Sequence, residues 1–135
     1  MNETAAKEWL TKAWHHYGSA IILYKAEHYT DVIAIDLHYA VEIILKSFLA
    51  YENKKIVKTH NLIELHTYIN DYISFDYNEL DLLRIISSYH IKGSYPTPDR
   101  RLPSMEEIKN VIDFTDQLFY QVCKLLKIDP EEIKK

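Results

Sequence analysis

Glycine is nearly missing from this chain. Two glycines and four prolines in 135 residues exclude a collagen-like chain, a flexible linker and a loop-rich sandwich. A single cysteine, Cys123, excludes an internal disulfide and leaves no second thiol for a zinc site. It lies among Phe119, Val122 and Leu126 at helical spacing, which fits a buried, reduced thiol. No run approaches the ~18 apolar residues of a membrane span. Met1-Asn2-Glu3-Thr4 has neither the basic start nor the apolar stretch of a signal peptide. A cytoplasmic protein without membrane contact is therefore expected. Charge of one sign is also lacking. Sixteen basic against twenty acidic side chains give a formal charge of −4, so no global attraction to nucleic acid is predicted. The chain has no glycine-rich phosphate loop, serine elbow or protein-kinase set, and no cofactor is expected.

What remains is helical. Apolar residues at 47% with charged residues at 27% describe an ordinary globular protein, and the length fits one domain over residues 1–135. Ala6, Leu10, Ala13, Tyr17, Ala20, Ile21 and Tyr24 recur at three- and four-residue steps, one stripe of an amphipathic helix. Ile33, Leu37, Ala40, Val41, Ile44, Phe48 and Tyr51 repeat the pattern, as do Ile108, Val111, Ile112, Thr115, Leu118, Phe119, Val122, Leu125 and Leu126. Two shorter helical patterns cover 62–73 and 80–91, and no period-two strand is evident. Ser104 with Glu107 reads as a capping box. Asp76 or Asn78 is expected to cap the fourth helix, and Thr59 or Asn61 the third. Asp129-Pro130-Glu131-Glu132 predicts a restarted last turn, loosely attached over 128–135. The fold class is all-α, an up-and-down bundle of four to five helices. Residues 92–103 hold three of the four prolines and form the one long loop, a kind of segment that often carries function.

Several motifs, in order, resemble those of the HEPN family. The first helix has spaced alanines and a tryptophan, here Ala6, Trp9, Leu10 and Ala13. In the second, a small apolar residue precedes Glu with Lys four residues on, as in Ala40-Val41-Glu42 and Lys46. A Thr-His-x-Leu helix start follows as Thr59-His60-Asn61-Leu62, and a Tyr-Pro pair as Tyr95-Pro96. Ser94 stands where the Tyr-Pro branch commonly has Arg, and His38-Tyr39 replace a frequent glutamine. The resemblance implies a small HEPN-like helical bundle that dimerises. Members of the family include RNA-cleaving toxins, partners of minimal nucleotidyltransferases, and proteins with no known reaction.

The RNA-cleaving members resemble one another in an Arg followed, after four to six residues, by His, used without metal. Arg84 and His90 meet that spacing, with Arg as a phosphate-neutralising group and His as the proton carrier. Six helical residues rotate by ~600°, which leaves the two side chains ~120° and ~9 Å apart. The pair therefore converges only if the helix breaks or a second chain supplies the other half. Glu42 and Lys46 are one turn apart, and the simplest expectation is an exposed pair stabilising by at most ~0.5 kcal/mol. The other is a cleft in which Lys46 meets a phosphate. No metal site is expected from the seven histidines. His15 and His16 point apart, His60 and His66 lack the i,i+4 spacing of a helical pair, and His60 is expected to cap or pack.

In the long loop, Lys92, Arg100 and Arg101 supply positive charge and Tyr95 a face for stacking. With Lys46 they are the candidate ligand-binding residues. Trp14, Ile22, Tyr24, Ile43 and Ile85 fall off the main stripes and are expected to form an apolar patch that a second copy covers. The leading expectation is a non-catalytic homodimeric module that binds a nucleotide-like ligand or a minimal nucleotidyltransferase partner. The alternatives are a metal-independent endoribonuclease toxin of a toxin–antitoxin pair, acting on RNA through Arg84 and His90, and a scaffold dimer with no small ligand.

Overall fold

A computed structural model describes residues 1–96 and 101–135. Among them the chain is all-helical: α1 (Glu3–Lys25), α2 (Thr30–Tyr51), α3 (Leu62–Ile69), α4 (Tyr77–Ser94), α5 (Met105–Leu125) and the single turn α6 (Pro130–Ile133). Every helix but α2 starts at a side-chain cap. Asn2, Asn61, Asp76, Ser104 and Asp129 accept first-turn amides with their side chains, at α1, α3, α4, α5 and α6 respectively. Asp76 and Glu79 form a complete capping box. At α5 only half of the expected box is present, because the Glu107 carboxylate accepts the Tyr89 hydroxyl instead of reaching back.

The ends explain how so few glycines suffice. Glu27, Asn53 and Lys127, just past α1, α2 and α5, take positive φ of 53°, 54° and 58°. The next residue in each case donates to a carbonyl five residues back, as from Ile128 to Cys123 at 2.9 Å, the Schellman closure that glycine usually makes. α4 runs on through Gly93 to Ser94 and stops at Tyr95, which is extended at φ −139° because it precedes Pro96. Lys92 therefore belongs to a helix and not to the loop. α3 ends earlier than its apolar pattern, and Ile73 is buried from the turn beyond it.

α2 is the central helix. It packs on α1, α3, α4 and α5, and its buried positions run nearly all round its circumference, far beyond the stripe seen in sequence. Ile33, Leu37, Ile44, Leu45 and Phe48 meet Leu10 of α1, Leu83 and Ile86 of α4 and Phe119 of α5 in one core. Asn2 binds the Tyr51 carbonyl at 2.8 Å, tying the start of α1 to the end of α2. Ile128 and Ile133 are buried, and α6 packs on α1. The off-stripe residues do not share one patch. Trp14, Tyr24 and Ile43 pack against the core, while Ile22 and Ile85 are exposed on α1 and α4. Trp14 and Ile22 line one surface depression with Gly18, and Ile43 lines another with Trp9.

Candidate functional site

Two features stand close to α4: a buried polar cluster and a surface cleft. The cluster starts from the spacing of α2, where His38, Glu42 and Lys46 recur every four residues and so share one face. That face is covered by α4 and by the segment before α3. All three residues are buried. The exposed ion pair expected for Glu42 and Lys46 is therefore not found. Their bond, 3.0 Å from Lys46 Nζ to Glu42 Oε2, is out of solvent. Lys46 faces this carboxylate and does not line the cleft by the 92–103 segment.

Glu42 is the hub. Its Oε1 takes both His38 Nε2 at 3.1 Å and His60 Nδ1 at 2.7 Å. Burial pushes the Glu42 carboxyl up, but the bonds from His38, His60 and Lys46 together outweigh it and hold the group down at about 2. His38 Nδ1 lies 2.9 Å from the Ile86 carbonyl oxygen, which only accepts, so that nitrogen carries a proton. His90 of α4 stacks on His60, with ring centroids 3.9 Å apart and planes 13° from parallel. Burial, and then the neighbouring His60 and His38, push His90 below the usual imidazole range against the pull of Glu42. Tyr39 closes one side, edge-on to His90.

Of the sequence candidates, His90 thus joins the cluster and Arg84 does not. The Arg84 guanidinium is exposed and pairs with Asp81 at 2.8 Å. The sequence does not single out Glu42 or His60 as site residues, because the groups that make them one cluster lie on separate segments, α2 and the stretch before α3. One signal was available: His38, Glu42 and Lys46 form a polar row at every fourth position through the most apolar stretch of α2.

The cleft lies where the end of α4 crosses the start of α2. It is a cavity of about 410 Å³ lined by Asp31, Tyr89, Lys92, Tyr95, Arg101 and neighbouring residues. A second depression of about 390 Å³ continues past Lys92 and Arg101 toward Ser88 and Glu107. Arg100 falls outside the described residues. Gly93 sets how closely the helices approach, because a Cβ there would stand 2.9 Å from the Asp31 carbonyl oxygen and 3.0 Å from Ile35 Cβ. The hydroxyl of the buried Tyr89 is held by Glu107 beneath the cleft.

A model of the HEPN domain family matches residues 6–126, nearly the whole chain. The chain belongs to the HEPN family. No curated protein and no solved structure matches it. All the motif elements lie inside the matched span, and in this HEPN domain two of them meet: Glu42 of the small-residue–Glu element binds His60 of the Thr-His element. The Tyr-Pro element, Tyr95-Pro96, borders the cleft.

Proposed function

We propose that this HEPN domain is a non-catalytic, homodimeric binding module whose cleft takes a nucleotide-like ligand. One observation carries the reading: Lys92 and Tyr95 at the end of α4 and Arg101 just beyond it line one cavity with Asp31 of α2. An ammonium and a guanidinium suit phosphate oxygens, and Tyr95, 64% exposed, offers a ring face to a base. Asp31 on the facing helix offers an acceptor for sugar hydroxyls. Titration calorimetry with nucleoside mono- and triphosphates checks this. Saturable binding is expected, weakened at least tenfold by Lys92→Ala or Arg101→Ala, and the absence of binding at millimolar nucleotide overturns it. The same cations suit an acidic face of a separately encoded minimal nucleotidyltransferase, and co-purification with such a protein but no nucleotide binding would move the reading there. Exposed Ile22, which shares a depression on α1 with Trp14, is the apolar surface a second copy would cover. Sedimentation at tens of micromolar is expected to show a dimer, and a monomer alone removes that part.

A second reading, metal-independent RNA cleavage, draws on His90, whose imidazole lies against the half-exposed His60. Cleavage of a mixed RNA pool in EDTA, lost in folded Arg84→Ala and His90→Ala variants, would replace the first reading with this one.

A further inference from the structure

We propose that His38, Glu42 and His60 form a binding site for one first-row divalent ion of the zinc type. The donor atoms already converge: His38 Nε2, His60 Nδ1 and Glu42 Oε1 all lie within 4.8 Å of one another. A tetrahedral ion with bonds of about 2.0–2.1 Å sets its donors roughly 3.3 Å apart. The two ring nitrogens stand 3.1 and 2.7 Å from the carboxylate oxygen, so an ion enters with small side-chain shifts.

The orientation of His38 is the deciding feature. Its ring is fully buried, and Nδ1 donates to the Ile86 carbonyl, the outer contact that metal-bound histidines characteristically make. That contact turns Nε2 toward Glu42. In neutral His38 this nitrogen presents a lone pair to a carboxylate oxygen, and the arrangement calls for a cation between them, either a second proton or a metal ion. Lys46 occupies the other oxygen, Oε2, and leaves Oε1 to the two rings. His60 is half-exposed, which gives an ion a way in, and His90 stacks on it and fixes its plane. Two imidazoles and one carboxylate form a nitrogen-rich set that suits zinc and its neighbours and not magnesium or calcium. On binding, the ion takes the place of both bridging protons: the one on His38 Nε2 leaves to solvent, and His60 binds through Nδ1 with its proton on Nε2.

The test uses the untagged full chain, stripped with EDTA and exchanged into chelator-free buffer. Zn²⁺ titrated by calorimetry is expected to bind at one ion per chain, and Co²⁺ to give the visible bands of a tetrahedral site. Mg²⁺ is expected to give neither. Zn²⁺ is also expected to raise the melting temperature. His60→Ala, at a half-exposed position, is expected to weaken Zn²⁺ at least tenfold, whereas His15→Ala and His28→Ala leave it unchanged. No binding, or binding that survives His60→Ala, overturns the proposal. If His60→Ala fails to fold, imidazole nitrogen NMR of the wild-type chain decides. Zinc-induced shifts at His38 and His60 support the site, and shifts only elsewhere overturn it.

Discussion

Glu42 shows most plainly how one residue's surroundings set its value. Its carboxylate is shared by two imidazoles and an ammonium in a buried pocket. Glu42→Gln removes the charge while keeping the shape, and leaves Lys46 buried without its counter-ion. Losing one partner of a buried pair costs about 3–5 kcal/mol, and a loss of that order is expected in urea unfolding. Glu42→Met with Lys46→Met is expected to restore much of it, because two apolar side chains of similar length need no partners. Recovery no better than in Glu42→Gln would place the loss in the histidine contacts instead. The row 38, 42, 46 was visible in the sequence. Its burial was not, since the same spacing on an outer helix gives a solvated pair.

At the scale of the element, the two glycines predict opposite outcomes. Gly18 is within α1, and a Cβ there meets nothing within 4 Å. Gly18→Ala is expected to stabilise by up to about 1 kcal/mol, the cost of glycine in a helix interior. Gly93→Ala places a methyl against the Asp31 backbone, so α4 and α2 must separate. A loss of about 1–3 kcal/mol is expected, as for other overpacked contacts, together with weaker binding in the cleft that the two helices form. Thermal unfolding of both variants checks the signs. Nothing in the composition tells these glycines apart. The helices themselves were legible: apolar stripes marked α1, α2 and α5, and Ser104 marked the start of α5. The apolar pattern over 80–91 is shorter than α4, which runs on to Ser94 because Pro96, and not Gly93, has the backbone chemistry to end it.

The whole molecule responds to alkali in a way the core dictates. Burial, followed by the field of Asp129, pushes the Cys123 thiol up from 9.0 to about 11. Burial likewise raises Tyr17, beside Asp116, and Tyr89, bonded to Glu107. Each group has a higher pKa folded than unfolded, so its contribution is complete below the unfolded value and is lost as pH rises through the folded one. The urea midpoint is therefore expected to fall from about pH 9 upward, with the Cys123 share disappearing by about pH 11. Cys123→Ala is expected to flatten the first part of that fall, and an unchanged slope would assign it to the tyrosines. The all-helical class, the main apolar stripes and family membership were determined by the sequence alone, because they rest on spacings of three or four residues and on a motif order that needs no third dimension. Tertiary structure alone decided that Asp31 of α2 joins Lys92 and Tyr95 in one cavity, that His90 stacks on His60, and that His60 reaches Glu42. Those meetings depend on how α3 and α4 dock against α2, and docking is settled by side-chain packing between segments far apart in the chain.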